Sequence, residues 1–243
     1  MRIGEININK AKVVEFIKTN CTEALAAQPI FRGSESTKKL FRVIDTTGLA
    51  DRKAANTSNY TNLLITGMPA WQVFPRRSTI CSTDPQYASR YGTLYRVLPV
   101  NGTQIGICPG EDFWGFPALR AASKDITGST SLPFNIKHLN MELADAAHRC
   151  GIDLSETDAS ALEGQLKQIS KIWSRKFMVK RLLGAVIGSE SSLPMRLNKL
   201  LDPNANGFTI SPIASLNATK KEVWFDGKAL LVNESVWDQL QLD

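Results

Sequence analysis

The chain has 243 residues, of which 43% are hydrophobic and 21% charged, the composition of an ordinary globular protein. It contains no run of about 18 apolar residues, so a membrane-spanning helix is not predicted. The first ten residues lack the apolar core of a secretion signal, and we therefore expect a cytoplasmic protein. The net charge of +6 and the pI near 9.2 favour anionic partners, such as nucleic acid or a dinucleotide.

Cysteine and histidine are few and scattered. The two histidines are ten residues apart, and the four cysteines form no C-x-x-C pair. These residues are Cys21, Cys81, Cys108, Cys150, His138 and His148. We therefore predict no metal site, no disulfide framework and no histidine-based triad, and a reducing compartment fits best.

In chain order, the first predicted element is a helix over residues 9–27, where apolar residues recur at helical spacing. Pro29 ends this helix, and P-I-F-R-G predicts a short strand closed by Gly33. Residues 34–70 are polar. They include an extended piece in R-V-I-D-T-T and a short helix that ends at Gly67.

The middle of the chain is its most strand-like part. The strand-like stretch W-Q-V-F-P-R-R-S-T-I-C-S-T leads into a predicted helix in D-P-Q-Y-A-S-R-Y, with Asp84 as the expected N-cap and Pro85 as the first helical residue. The stretch G-T-L-Y-R-V-L-P-V-N-G-T-Q-I-G-I-C then predicts two strands around an Asn101-Gly102 turn.

From about residue 135 to 202 the pattern becomes helical, with helix ends predicted at Gly151 and Gly184. A turn in D-P-N-A-N-G follows, and strands return in F-T-I-S-P-I-A-S-L and on both sides of Asp226-Gly227. No linker-like composition separates the helical block. The sequence therefore predicts a single α+β domain over residues 1–243 with a helical insertion at about 135–202.

Three short motifs occur in order on predicted strands. Phe31-Arg32-Gly33 lies on the first strand, Ile80-Cys81-Ser82-Thr83 at a strand-to-helix corner, and Glu222 at the start of a late strand–turn–strand unit. With these motifs the chain resembles the Arg-Ser-Glu class of ADP-ribosyltransferases over residues 28–115 and 207–235. The resemblance implies that family's split β-sheet core and NAD as the substrate.

The same region also resembles phage and bacterial proteins that carry an N-terminal Phe-Arg-Gly motif. The residues concerned are R-R-S-T-I-C-S-T-D, A-S-R-Y-G and Y-R-V-L-P. This second resemblance implies the same fold and, for a phage-encoded protein, action in the host cytoplasm.

The resemblance to the transferases implies a catalytic set of Arg32, Ser82 and Glu222. Arg32 would bind the pyrophosphate of NAD through its guanidinium. Ser82 would orient the ribose or the carboxylate by hydrogen bonding. Glu222 would hold the ribose 2′-hydroxyl and stabilise the positive charge that develops as the nicotinamide–ribose bond breaks.

Further residues are predicted to bind NAD beside this set. Gly33 would allow a close approach of the backbone to the ligand, and Thr83 lies next to Ser82 at the corner. Tyr91 and Tyr95 would stack on nicotinamide or adenine.

Two residues depart from the family pattern. Lys220 stands two positions before Glu222, where an acidic or amide residue is usual, and Asp84 replaces the third residue of the Ser-Thr-Ser motif. Because a charged lysine is no general base, the acceptor stays open: a protein, a nucleic acid or water. The alternative function is a catalytically silent nucleotide- or nucleic-acid-binding module of the same fold.

Three other features have two interpretations each. Glu111-Asp112 lies in either an acceptor-binding loop or an aromatic plug whose acids face water. Arg76-Arg77 either contacts phosphate or protects a strand edge. Lys167, Lys171 and Arg175 share one helical face, which either contacts nucleic acid or is simply solvated.

Overall fold

The structure is a computed structural model that describes residues 10–35, 39–47, 65, 68–113, 148, 151 and 201–242. The chain divides into two compact units. One consists of Met1–Arg52, Phe74–Asp112 and Phe208–Asp243, and the other of Lys53–Val73 and Phe113–Gly207. Apart from residues 148, 151, 201 and 202, the helical insertion predicted at about 135–202 lies outside the described residues.

Two short helices precede the sheet where the sequence predicted one. Helix α1 runs over Lys10–Asn20 and helix α2 over Thr22–Ala26, with the break at Cys21. The buried Cys21 thiol donates a hydrogen bond to the carbonyl oxygen of Leu98 at 3.5 Å, which attaches the break to the sheet. Ile17, on the apolar face of α1, is fully buried.

One antiparallel sheet of eight strands forms the framework of the first unit. Its strands are β1 (Ile30–Ser34), β2 (Phe41–Asp45), β3 (Thr79–Ser82), β4 (Thr93–Pro99), β5 (Gln104–Ile107), β6 (Thr209–Pro212), β7 (Glu222–Phe225) and β8 (Lys228–Asn233). Their order across the sheet is β2-β8-β4-β1-β3-β7-β5-β6. A mixed α and β fold is thereby confirmed.

The sheet consists of two four-stranded halves that join at one point. Strands β2, β8, β4 and β1 form one half, and β3, β7, β5 and β6 form the other. Across the join, the register pair is Phe31 of β1 with Ser82 of β3. The motif-bearing strands β1, β3 and β7 are therefore neighbours at the middle of the sheet.

The two predicted turns form, but neither closes a hairpin. The links from β4 to β5 and from β7 to β8 both cross from one half of the sheet to the other. Gly102 in the first link donates its N–H to the Glu23 carboxylate at 2.8 Å. In the second link, Gly227 donates its N–H to the Thr46 hydroxyl at 3.0 Å. Each turn is thus held by a partner distant in sequence.

Helix α3 (Pro85–Ser89) begins at the predicted cap. The Asp84 carboxylate accepts hydrogen bonds from the N–H groups of Gln86 and Tyr87, at 2.8 and 3.4 Å. The helix lies directly on β1, because a Cβ added at Gly33 would stand 2.2 Å from the carbonyl oxygen of Ala88. Gly33 therefore makes room for a helix.

The two faces of β7 carry different residues. Val223 and Phe225 belong to the main apolar core of the sheet and are fully buried. Trp224 projects from the opposite face. There its ring packs with Phe74 and Phe208, at centroid distances of 6.3 and 6.2 Å. Glu222, two residues before Trp224, shares its face.

In the second unit, Trp71 ends the 3₁₀ turn Pro69–Trp71 and contacts two residues that are distant in sequence. Its indole N–H donates to the carbonyl oxygen of Leu201 at 2.7 Å, and its ring meets Phe113 edge to face at 6.0 Å. The D-P-N-A-N-G turn forms as predicted, with the Asp202 carboxylate accepting from the N–H of Ala205 at 2.9 Å.

Candidate functional site

Ser82 and Glu222 stand opposite each other on neighbouring strands. They are register partners in the antiparallel pair of β3 with β7, so their side chains leave the same face of the sheet. Phe31 is the partner of Ser82 on the other side. The strands of all three sequence motifs therefore meet in one row, and both Ser82 and Glu222 are buried there.

Arg32 lies one residue outside this row. Its register partner is Tyr95 on β4. Because successive residues of a strand point to opposite faces, Arg32 leaves the sheet on the face opposite Ser82 and Glu222. The structure thus brings two of the three predicted catalytic residues together and leaves Arg32 apart from them.

Glu222 is bound instead by Arg77. The Arg77 Nη2 atom donates to Glu222 Oε1 at 2.7 Å, and each side chain is only 8% exposed. The guanidinium also lies 5.5 Å from the centroid of the Trp224 ring. A guanidinium partner favours the charged form of a carboxylate and gives the hydrogen bond a defined direction.

Trp224 is the platform beneath Arg77. Its indole lies across Gly106 on β5, where an added Cβ would stand 2.3 Å from a ring atom. The indole N–H donates to the carbonyl oxygen of Pro75 at 2.9 Å and so ties down the segment that leads to Arg77. Arg77 lies in the turn before β3, which places the guanidinium between Trp224 and Glu222.

The loop after β5 holds the backbone of Glu222. Cys108 donates its N–H to the Glu222 carbonyl oxygen at 2.9 Å, and Glu222 donates its own N–H to the carbonyl oxygen of Gly110 at 3.0 Å. Burial raises the pKa of the Cys108 thiol to about 12, and the Glu222 charge adds to this rise. The thiol is therefore protonated at neutral pH and is no nucleophile.

Two tyrosines border the same region. The Tyr91 hydroxyl donates to the Tyr87 hydroxyl at 3.3 Å, and the Tyr91 side chain is 56% exposed. The pKa of Tyr87 is raised, first by burial, then by the hydrogen bond with Tyr91, and further by the negative charges of Asp112 and Glu222. Tyr87 therefore lies within electrostatic reach of both carboxylates.

Three residues predicted to bind NAD make contacts within the protein. Tyr95 is fully buried and donates its hydroxyl to the carbonyl oxygen of Lys39 at 2.9 Å, so its ring has no face open to a ligand. The Thr83 hydroxyl accepts from the N–H of Lys221 at 2.9 Å and extends the pairing of β3 with β7. Gly33 is covered by α3. For Tyr95, this placement corrects the prediction of stacking.

The comparisons with known proteins gave no match. No protein-family model matches it, no curated protein matches it, and no solved structure matches it. Among the described residues, no His, Cys, Asp and Glu side chains form a group of three or more that would hold a metal ion. None of the helices described is long and apolar enough to cross a bilayer.

Arg77 was not among the residues that the sequence predicted for the site. Its pairing with Arg76 indicated only phosphate contact or a charged strand edge. Strand alternation gives no direction for its side chain, because Arg77 precedes β3 and lies in a turn. Its partner Glu222 is 145 residues away along the chain, beyond any local signal.

Proposed function

We propose that the chain is an ADP-ribosyltransferase or NAD glycohydrolase of the Arg-Ser-Glu class, with its split-sheet fold. The observation that supports this best is the register of Ser82 with Glu222 on neighbouring strands, beside the strand that carries Phe-Arg-Gly. In this proposal Glu222 is the catalytic carboxylate and Ser82 its neighbour on the ribose side.

The chemistry is the cleavage of the bond between ribose C1′ and the nicotinamide nitrogen. The bonding electron pair leaves with nicotinamide, which becomes neutral, and positive charge develops on the ribose ring. A fixed carboxylate beside the ring stabilises that charge and accepts a hydrogen bond from the 2′-hydroxyl. The acceptor then forms a bond to C1′ and releases a proton to the solvent.

Two exposed side chains on the face of Glu222 carry groups that would suit a dinucleotide. The exposed Tyr91 ring, 5.9 Å from the Tyr87 ring, offers a stacking surface for nicotinamide or adenine. Arg90 is exposed and lies over Tyr87 with its guanidinium carbon 5.2 Å from the ring centroid. It supplies a cation for the pyrophosphate on the same side of the sheet as Glu222.

A second candidate function is a catalytically silent nucleotide- or nucleic-acid-binding module. It is favoured by the burial of Glu222, whose side chain is 8% exposed and already paired with Arg77. It is also favoured by the position of Arg32 outside the Ser82–Glu222 row. In this alternative the Arg77–Glu222 pair holds the sheet together and performs no chemistry.

The test is the release of nicotinamide from NAD by the full chain and by Glu222→Gln, which keeps the side-chain shape and removes the charge. Glu234→Gln is the matched control, because it changes an Arg-bound glutamate elsewhere in the same unit. DNA, RNA and protein extract are added in separate reactions. We expect Glu222→Gln to lower turnover by at least about 100-fold, the scale seen when one charge-stabilising group is removed.

The outcomes separate the two functions. Turnover that is lost in Glu222→Gln and kept in Glu234→Gln supports the enzyme, and the addition that accelerates it identifies the acceptor class. If the wild-type chain releases no nicotinamide under any condition, the enzymatic proposal is wrong and the binding module replaces it.

A further inference from the structure

We infer that Arg77 is a positioning residue for Glu222, acting from the Trp224 platform. This inference rests on the proposed function. It assigns to the site a guanidinium that contacts the catalytic carboxylate and that the family resemblance does not supply. Both charged side chains are buried, so neither can leave the other for water, and their relative geometry is restricted.

The first step is the orientation of the carboxylate. The Arg77–Glu222 bond joins Nη2 to Oε1 at 2.7 Å. The guanidinium therefore holds Glu222 Oε1, and this charge-assisted bond restricts the orientations open to the carboxylate. A carboxylate that must meet a ribose hydroxyl and a developing charge gains from a direction fixed in advance.

The second step is the orientation of Arg77 itself. A long arginine side chain has many rotamers, and it positions a partner only when its own conformers are restricted. Trp224 restricts them, since the guanidinium lies 5.5 Å from the centroid of its ring. The ring is in turn fixed by its hydrogen bond to Pro75 and by its fit over Gly106.

The third step is the comparison of arginine with lysine at position 77. Lysine keeps the positive charge but has a compact ammonium in place of a flat fork that stacks on an indole. Arg77→Lys therefore preserves charge neutralisation and removes the stacked, directional hydrogen bond. The variant separates positioning from simple electrostatic compensation.

The experiment is the steady-state cleavage of NAD by wild type, Arg77→Lys and Glu222→Gln, each at a temperature well below its own melting point. We expect Arg77→Lys to lower kcat by about 10- to 100-fold, the scale of a small misplacement of a reacting group. The KM for NAD should stay within a factor of about three, because the role inferred for Arg77 is to hold Glu222 and not to bind NAD. A purely structural role would instead reduce activity in proportion to the unfolded fraction.

A second pair of variants covers the case in which Arg77→Lys does not fold. Trp224→Phe keeps an aromatic platform but weakens the attraction of the ring for the guanidinium. We expect it to lower kcat several-fold with the same KM. Trp237→Phe is the matched control, because Trp237 lies under Arg96 in a second Arg–Glu pair that is not in contact with Glu222.

Each outcome has a separate meaning. Loss of activity in Glu222→Gln together with full kcat in Arg77→Lys or Trp224→Phe overturns the inference and leaves the proposed function intact. Full activity in Glu222→Gln, or none in the wild type, overturns the proposed function and the inference together. A fall in kcat in both site variants, with unchanged Trp237→Phe, supports both.

Discussion

The first unit contains two Arg–Glu ion pairs in which the arginine also lies over a tryptophan ring, and the two pairs differ in burial. Arg77 binds Glu222 and stacks on Trp224, with 8% of each charged side chain exposed. Arg96 binds Glu234 through two hydrogen bonds, of 2.7 and 3.2 Å. It lies 4.1 Å from the centroid of the Trp237 ring, and its pair is 20% and 30% exposed.

This difference in exposure changes what each pair does for the protein. In an ion pair that water reaches, the charged groups exchange hydrogen bonds with water for hydrogen bonds with each other, and the pair contributes little to the free energy of unfolding. A pair that water does not reach costs free energy to bury, and removing one partner leaves a charge without compensation. We therefore expect the bidentate pair of Arg96 with Glu234 to contribute less to stability than the buried pair of Arg77 with Glu222.

The largest expected difference between the pairs is in stability. Arg77→Met should lower the free energy of unfolding by about 3–5 kcal/mol, because the Glu222 charge stays buried. Arg96→Met should lower it by about 1 kcal/mol or less, because solvent reaches Glu234. Urea unfolding of both variants, followed by tryptophan fluorescence, measures the two values.

The double variant Arg77→Met with Glu222→Met is the control for this measurement. With no charge left in the buried position, it should recover most of the stability lost in Arg77→Met. Equal losses in Arg77→Met and Arg96→Met would show that burial does not distinguish the two pairs.

A smaller effect is expected from the platform under Arg77. Gly106→Ala places a methyl group 2.3 Å from the Trp224 ring, so the ring or the strand has to shift. We expect a loss of about 1–3 kcal/mol, typical of overpacking. NAD turnover should fall as well, although neither member of the ion pair is changed.

Gly102→Ala is the comparison for this variant. A Cβ at Gly102 meets no atom within 4 Å, but the backbone there has a φ of +79°. It should therefore lose about 1–2 kcal/mol through backbone strain alone while NAD turnover stays unchanged. If turnover falls equally in both variants, the platform has no special connection with the site.

The smallest expected effect is on the pH dependence of stability. The pKa of the buried Cys108 thiol is about 12, against 9.0 for an exposed thiol. Between these two values the unfolded chain has lost the thiol proton and the folded chain keeps it, so stability falls as pH rises above 9. Cys108→Ser should make this decline shallower. Urea midpoints at pH 8 and pH 10 measure it, and an unchanged slope would assign the decline to other groups.

The local elements of this protein were predictable from the sequence because their causes are local. The cap at Asp84, the turn at Asp226-Gly227 and the buried face of α1 each depend on residues within one or two turns of the chain. All three appear in the structure. The strands β1, β3 and β7 were predictable from apolar runs and the turns that bound them, and so was the position of the three motifs on these strands.

The pairing of those strands was decided by the tertiary structure. The two tight turns looked local, yet the strands on either side of each turn pair with distant partners across a divided sheet. The register of these pairings puts Ser82 beside Glu222 and turns Arg32 to the other face. A shift of one residue reverses a side chain on a strand, and no feature of the Phe-Arg-Gly motif determines that register.

The sequence by itself determined that β1, β3 and β7 become strands, where α3 starts, and that Ser82 and Glu222 are candidate residues of one site. Only the tertiary structure decided that Tyr95 is buried and that Arg77 is the partner of Glu222. The physical reason is range: capping and turn formation act over a few residues. Burial and ion pairing act between groups that meet only when the chain has closed loops of more than a hundred residues.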